Sequence, residues 1–302
     1  MSDTPASLGG GSAAADERIV ADAEAAAEAA AHVSGCRVRP ISALSDLEGA
    51  CALFESIWKP DGESALATPE LLRAMDKAGS YVAAAFDTTR DDELVAACIG
   101  FFGPPAASSL HSHIAGVSAR MRGRSVGFAL KAHQRAWTLR HGAAQVSWTF
   151  DPLVRRNAYF NIGKLAARPV QYLQDFYGRM NDGINGGDAT DRLLAEWHLA
   201  APDVAAACHG RPQHANAGAW RTTDAALDIT ADGRPVTGRI TGARTRVAVP
   251  GDIEQLRRSD PACAAAWRSA LRDVLSGLLT DGWQVAGFDR AGWYLLERQD
   301  RQ

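Results

Sequence analysis

The stretch at residues 110–137 constrains the fold of this chain more than any other part of its sequence. It begins as an apolar strand, passes through a turn that contains arginine and glycine, and continues as a helix. Backbone N–H groups in the first turn of a helix have no partner within that helix, so they can bind an anion. The turn also places three basic side chains beside them: Arg120, Arg122 and Arg124. The stretch therefore predicts a phosphate-binding turn between a strand and a helix.

The helix predicted after this turn has two distinct faces. The more apolar face carries Val126, Ala129, Leu130, His133 and Trp137. The opposite face carries Lys131, Gln134 and Arg135. The next segment, residues 145–150, alternates in the manner of a strand. Two strands joined by one helix form a parallel pair, so we expect the apolar face of this helix to pack on a sheet.

The surrounding sequence also predicts strands. Residues 81–86 and 94–102 are separated by a charged turn, which predicts an antiparallel hairpin. Two further strands are expected at residues 170–177 and 193–199. Between them, residues 182–188 are rich in glycine and aspartate, a composition that is typical of a loop.

Composition divides the chain into three predicted parts. Residues 1–34 are rich in alanine, glycine and serine and have little to bury, so we expect a disordered tail. Residues 35–200 carry the patterns described above and form the predicted main domain. Residues 201–302 begin as a connector rich in glycine and proline and continue as a small α/β unit, with a helix expected at residues 261–279.

Charge and cysteine content disfavour several classes of function. The formal net charge is -3 and the isoelectric point is near 6.2, so the chain lacks the overall basic character of a nucleic-acid-binding protein. No segment reads as a membrane span or a secretory leader. The five cysteines include no Cys-x-x-Cys pair, which argues against a disulfide framework and a zinc site. We expect a cytoplasmic monomer or homodimer without a metal, a nucleic-acid partner or a membrane partner.

Two histidines precede the turn in a pattern that indicates acid–base chemistry. His111 and His113 are two residues apart on the predicted strand, so their side chains share one face of the sheet. An ammonium group must lose a proton before its nitrogen can attack a thioester, and histidine titrates near neutral pH. We therefore predict that the pair acts as general base. Either histidine alone is equally consistent with a packed strand residue, and spacing reveals no third ligand for a metal.

Together these features resemble the GNAT superfamily of acyl-CoA-dependent N-acyltransferases, over residues 36–200. The phosphate turn of that family reads Arg or Gln, two residues, Gly, one residue, then Gly or Ala. The segment Arg122-Gly123-Arg124-Ser125-Val126-Gly127 follows this pattern except that Ser125 stands at the first signature glycine, where a positive φ would cost more. The resemblance implies an α/β fold: a mixed, mostly antiparallel sheet with splayed central parallel strands and flanking helices, followed here by a C-terminal α/β extension.

The resemblance also implies roles for individual residues. The acyl-CoA co-substrate would bind the strand residues Ala115 and Val117 and the turn residues Arg122, Gly123, Arg124, Ser125, Val126 and Gly127. Asn157, in a helix predicted at residues 153–165, corresponds to an asparagine that binds the pantetheine arm. The family often places a tyrosine at the position of Ile162 to protonate the leaving thiolate. Tyr159 lies one turn earlier on the same face and is the predicted replacement, although an aromatic residue at this position is also typical of packing, and Tyr177 is another candidate.

Shorter motifs resemble a little-characterised branch of the family. They are His-Ser-His at residue 111, Trp-Thr-Phe-Asp-Pro at 148, Asn-Ala-Tyr-Phe-Asn at 157 and Asp-Arg at 191. Some members of that branch are linked to N-succinylation of amino acids. We predict transfer of an acetyl, succinyl or similar group from acyl-CoA to a primary amine of a small molecule or amino acid, by direct attack in a ternary complex. The alternative, prompted by Ser125 and Ile162, is a non-catalytic module that binds acyl-CoA or a partner on a degenerate fold.

Overall fold

The computed structural model describes residues 10–58, 65–178, 188–213, 220 and 222–298. The strands of a first sheet are β1 (Cys36–Pro40), β2 (Tyr81–Asp87), β3 (Glu93–Phe102), β4 (Ser109–Val117), β5 (Gln145–Phe150), β6 (Arg168–Leu173) and β7 (Arg192–His198). The strands of a second sheet are β8 (Ala225–Ile229), β9 (Pro235–Thr237), β10 (Arg244–Ala248), β11 (Trp283–Phe288) and β12 (Trp293–Arg298). The α-helices are α1 (Gly10–Ser34), α2 (Leu44–Trp58), α3 (Pro69–Lys77), α4 (Val126–Arg140), α5 (Arg155–Ala158), α6 (Pro202–Cys208), α7 (Ile253–Ser259) and α8 (Pro261–Thr280).

The first sheet is mixed and mostly antiparallel. Its seven strands have the order β1-β2-β3-β4-β5-β7-β6. Neighbouring strands are antiparallel except β4 and β5, which are parallel and are joined by α4. The predicted strand–helix–strand unit, the predicted hairpin of β2 and β3 and the predicted fold class are therefore confirmed.

Helices cover both faces of this sheet. On one face, α2 and α3 bury Leu47, Phe54 and Leu72 against β2 and β3. On the other face, α4 buries Val126 and Leu130 in the main core. Removing such a side chain from water contributes about 1.5–3 kcal/mol, so these two layers hold the sheet in place. The arrangement leaves the carboxyl end of β4 near the start of α4, because only the short turn at residues 118–125 joins them.

Helix α1 corrects the expectation of a disordered tail at residues 1–34. Its alanines pack against alanines of α4, with Ala23, Ala27 and Ala30 facing Ala129, Ala132 and Ala136. Small side chains let the two helices approach closely, and an ion pair between Glu24 and Arg140 adds a polar contact. An alanine-rich sequence has too little hydrophobic contrast to reveal a buried face, which is why composition suggested disorder. Residues 1–9 lie outside the described part of the chain.

The polar face of α4 is also buried, contrary to the expectation of one apolar and one polar face. Lys131, Gln134 and Arg135 are at most 5% exposed. Arg135 donates to the backbone oxygen of Leu199 at 2.8 Å and lies 3.5 Å from Asp22 of α1. Because α1 and the first sheet both pack against α4, these polar side chains find partners inside the protein instead of in solvent.

The C-terminal unit is built on the second sheet, with the strand order β11-β12-β10-β8-β9. Strands β8 and β9 form a hairpin, and β11 and β12 form another. Helix α8 buries Trp267, Leu271 and Leu275 against this unit, which confirms the helix expected at residues 261–279. The main core continues from the first sheet into this unit.

Buried ion pairs connect the C-terminal unit to the end of β5. The carboxylate of Asp151, directly after β5, lies 2.6 Å from Arg257 of α7 and 2.9 Å from Arg268 of α8. Asp188 accepts hydrogen bonds from the same two arginines. Tyr294 of β12 also donates to the backbone oxygen of Pro152 at 2.8 Å. Of the loop predicted at residues 182–188, only Asp188 lies within the described residues.

Candidate functional site

Strands β4 and β5 are neighbours only where they begin. Their parallel register joins Ser109 to Gln145, Leu110 to Val146 and His111 to Ser147. Beyond the last pair, β4 continues to Val117 and β5 to Phe150 without further register partners between them. The strands therefore diverge toward their carboxyl ends, as the predicted splay requires. The divergence opens a gap in the middle of the sheet.

A bulge in β4 lies at the mouth of this gap. On the other side of β4, the register with β3 pairs Ser112 with Gly100 and Ile114 with Ile99, so His113 has no partner of its own. The additional residue of a bulge is left out of the hydrogen-bond ladder. His113 therefore presents backbone groups close to the point at which β4 leaves β5.

His111 and His113 lie side by side, with ring centroids 6.2 Å apart. Phe101 of β3 contacts both rings, at 5.3 Å from His111 and 5.8 Å from His113. His111 Nδ1 is 3.3 Å from Ser147 Oγ across the parallel pair. Loss of solvent lowers the pKa of both histidines, and the charges of His113 and Lys131 lower the pKa of His111 further. Both imidazoles are therefore neutral near pH 7 and able to accept a proton.

A buried lysine stands behind the strand that carries the histidines. Lys131 Nζ donates to Ser112 Oγ and to Gln134 Oε1, each at 2.9 Å, and lies 3.9 Å from the ring centroid of Trp148. Gln134 donates in turn to Cys98 Sγ at 3.4 Å. Burial lowers the pKa of Lys131 to about 8. The ammonium group is thus held by a closed network on the face of β4 opposite to the histidines.

The turn before α4 has the geometry of an anion site. Ser125 adopts a left-handed conformation with φ 61° and ψ 12°, and Gly123 has φ 80°. The first helical hydrogen bond runs from Ala129 N to Ser125 O at 3.0 Å, so the N–H groups between these residues have no partner within the helix. Arg122 and Arg124 are exposed beside them. This arrangement fits a pyrophosphate, and Ser125 takes the positive φ that a signature glycine would take.

Arg120 does not contribute to this anion site. Its guanidinium lies 2.8 Å from Asp87 and 2.7 Å from Glu93, on the hairpin of β2 and β3. Because its guanidinium is already paired with two carboxylates, Arg120 stabilises the turn and is not available to bind an anion. The basic side chains that remain at the turn are therefore Arg122 and Arg124.

The turn, β4 and the segment after β5 meet at Gly127. A Cβ atom at Gly127 would lie 3.6 Å from Val117 Cγ2 and 4.0 Å from Phe160 Cζ. Ala115 is exposed on β4, and Asn157 is half-buried on α5. Val117 of β4 and Phe160 of the segment after β5 therefore both lie close to the start of α4.

The helix predicted at residues 153–165 is only partly α-helical. After α5 the backbone continues as a π-helix over Tyr159–Lys164, a form that is rare and often found at functional sites. Ile162 is buried in the core. The ring of Tyr159 lies across Gly163, where a Cβ atom would be 2.9 Å from two ring carbons. Its hydroxyl accepts a hydrogen bond from Arg290 Nε at 2.8 Å.

Several site residues were not apparent from sequence. Ser147 and Phe101 join the histidines through strand register, which a sequence does not specify across distant segments. Lys131 belongs to the face of α4 opposite to the one that was expected to pack on the sheet. Arg290 lies beyond β11 in the C-terminal unit and reaches Tyr159 through the docking of the two units. Ser112 is the exception, because its position between His111 and His113 in the sequence already places it beside the two histidines.

Two searches of the described residues bear on metals and membranes. Within residues 10–58, 65–178, 188–213 and 222–298, no three His, Cys, Asp or Glu side chains are grouped in a way that could hold a metal ion. In the same part of the chain, no helix combines the length and the apolar character that a membrane crossing requires. The acid–base groups described above therefore stand without a neighbouring metal-ligand cluster in this part of the chain.

No family model and no curated protein matches this chain. Similar solved structures include the ribosomal-protein-S5-alanine acetyltransferase from Vibrio fischeri, which is 14% identical with a TM-score of 0.45 over 55% of this chain and 93% of its own. An N-acetyltransferase from Staphylococcus aureus Mu50 is 13% identical with a TM-score of 0.44, over 54% and 98% of the two chains. The ribosomal-protein-alanine N-acetyltransferase from Brucella melitensis is 15% identical with a TM-score of 0.44, over 53% and 98%.

Proposed function

We propose that this chain is an acyl-CoA-dependent N-acyltransferase that transfers an acetyl, succinyl or similar group to a primary amine of a small molecule or amino acid. The observation that carries the proposal is the gap between β4 and β5, which has an anion-binding turn on one side and two neutral histidines on the other. In such a gap the thioester would arrive from the side of the turn and the amine from the side of the histidines. The donor and the acceptor would then bind together before reaction.

Acyl-CoA would enter from the side of α4. Its pyrophosphate would bind the free N–H groups at the start of α4, with Arg122 and Arg124 nearby, because helix N-termini favour anions. The pantetheine arm would follow Val117 and Ala115 toward the gap, with Asn157 on its other side. Val117 of β4 and Phe160 of the π-helix would line the start of this path, because both side chains lie close to Gly127.

The amine would enter beside His111 and His113. A neutral imidazole accepts one proton from the ammonium group, and the freed nitrogen lone pair attacks the thioester carbonyl carbon. The C–N bond forms, the carbonyl π electrons move to oxygen, and the backbone N–H of the bulged residue His113 would stabilise that oxygen. When the carbonyl re-forms, the C–S bond breaks. The thiolate takes a proton from Tyr159, and the nitrogen gives up its second proton, which restores the Tyr159 phenol. The products are an amide, free CoA thiol and a protonated histidine that releases its proton to solvent.

A thiol-release assay tests this function directly. Acetyl-, succinyl- and longer acyl-CoA are each incubated with the purified chain and a panel of primary amines that includes amino acids. We expect thiol release above background for at least one donor and acceptor pair, and none from that donor without the amine. Mass spectrometry of the product would show the added acyl mass on the amine.

The second candidate function is a non-catalytic module that binds acyl-CoA or a partner. The observation that favours it is the left-handed Ser125, a conformation that serine adopts at a cost and that glycine would adopt freely. Measurable CoA binding by calorimetry, combined with no thiol release from any donor and acceptor pair, would support the module and contradict the enzyme.

A further inference from the structure

The C-terminal unit contacts the segment that carries Tyr159. The turn between β11 and β12 places Arg290 against Tyr159, with Nε 2.8 Å from the hydroxyl and the guanidinium carbon 5.3 Å from the ring centroid. Tyr159 directly precedes Phe160, which approaches Gly127 at the start of α4. Arg290 therefore contacts the same short segment that lines the predicted acyl-CoA path.

We propose that Arg290 is a positioning residue for Tyr159, so that the C-terminal unit completes the acyl-transfer site of the first sheet. This inference rests on the proposed function, because it assigns Tyr159 to protonation of the leaving thiolate. It gives the C-terminal unit a role in catalysis, although the strands of this unit form a separate sheet from the one that carries the histidines.

The turn that carries Arg290 is held in one conformation. Asp289 accepts hydrogen bonds from the backbone N–H groups of Gly292 and Trp293, at 2.9 and 3.0 Å. Arg155 of α5 donates to the backbone oxygen of Arg290. Gly292 has φ 100°, and a Cβ atom there would lie 3.2 Å from the Arg155 side chain, so the close approach needs glycine. These contacts fix the backbone that carries Arg290 relative to α5.

The ring of Tyr159 is held from two directions. Gly163 leaves room for the ring on one side, since any Cβ at that position would overlap it. Arg290 binds the hydroxyl oxygen with its Nε–H, so the tyrosine proton must point away from the guanidinium. A general acid works only within hydrogen-bond reach of its proton acceptor, and such an orientation contributes to rate in a way that binding affinity does not.

A double-mutant cycle separates positioning from general stability. The variants are R290Q, Y159F and R290Q/Y159F, with R156Q as the matched control. Arg156 forms a bidentate pair with Glu254 across the same junction of the two units, and its contact with Tyr159 is a backbone hydrogen bond that a change of the Arg156 side chain leaves in place. We expect R290Q to lower kcat about tenfold with the acyl-CoA KM unchanged within about twofold, and R156Q to leave both unchanged.

The cycle has a defined outcome for each alternative. If Arg290 acts through Tyr159, R290Q causes no further loss in the Y159F background. Additive losses, or equal losses in R290Q and R156Q, would mean that Arg290 only holds the units together and would overturn the proposal. Rescue of part of the activity in R290K would support a role for the charged donor.

A spectroscopic measurement decides the inference without turnover. In protein with ¹³C-labelled tyrosine, Y159F identifies the Tyr159 resonance, and CoA itself serves as the probe. We expect CoA to shift this resonance in the wild type and in R156Q, and the shift to be reduced in R290Q. A Tyr159 resonance that does not respond to bound CoA would overturn the inference. Absence of thiol release from the wild type would instead contradict the proposed function.

Discussion

The ammonium group of Lys131 lies 2.9 Å from Ser112 Oγ, directly behind the residue that separates the two histidines of β4. Only one strand of the sheet therefore lies between a buried positive charge and the predicted general base. Lys131 is held there by Gln134 and by the face of the Trp148 ring. Burying a charged group destabilises a fold unless the group is paired. The positive charge of Lys131 also lowers the pKa of His111.

Replacing Lys131 by methionine should change how stability depends on pH. Burial lowers the pKa of Lys131 from 10.5 to about 8, so between these values the unfolded chain binds a proton that the folded chain has released. This linkage makes the wild type more stable as pH rises from 8 to 10.5, by about 3 kcal/mol. K131M lacks that increase. Urea unfolding of both proteins across this range measures the difference, and parallel curves would contradict the prediction.

Replacing both histidines by alanine should abolish turnover and preserve acyl-CoA binding. The lowered pKa values of His111 and His113 mean that the wild type keeps a neutral base below pH 6.5, so kcat/KM should fall only in more acidic solution.

K131M removes a positive charge that lowers the pKa of His111, so it should move this acidic limb of the kcat/KM profile to higher pH. Stopped assays over a pH series measure both effects. Unchanged turnover in the double variant at neutral pH would exclude the histidines as base.

Replacing Ser125 by glycine should stabilise the protein. Serine in a left-handed conformation costs about 1–2 kcal/mol that glycine avoids, so S125G should raise the free energy of unfolding by about 1 kcal/mol. G123A is the matched opposite, because Gly123 also has a positive φ and no atom within 4 Å of an added Cβ. It should destabilise through the backbone alone. Chemical unfolding measures both, and a loss of stability in S125G would show that the serine side chain stabilises the turn.

Replacing Asp151 by asparagine should weaken the junction between β5 and the C-terminal unit. Asp151 is buried with Arg257 and Arg268, and removal of one partner from a buried ion pair costs about 3–5 kcal/mol. D203N is the control, because its pair with Arg168 is largely in solvent, where such a pair contributes less than about 1 kcal/mol. Thermal and urea unfolding compare the two. Equal effects would mean that the buried network is not the link between the units.

Local pattern in the sequence determined the central unit of this protein. The alternation of β4 and β5, the helical spacing of α4 and the basic turn between them all appear in the structure at the expected residues. The shared face of His111 and His113 was expected from the two-residue period of a strand, and the two rings lie side by side although a bulge at His113 interrupts that period. These features depend on neighbours within a few residues, and sequence periodicity records such neighbours directly.

Tertiary structure alone decided which polar groups meet. Arg120 was expected to bind an anion, yet the β2–β3 hairpin brings Asp87 and Glu93 to it. Lys131 lies opposite to the face of α4 that was expected to pack on the sheet, yet the sheet and α1 enclose α4 and bury it. Arg290 reaches Tyr159 only because the C-terminal unit docks on the segment after β5. A charged side chain takes its partner from whatever packs against it, and elements far apart in the chain carry no local signal of that packing.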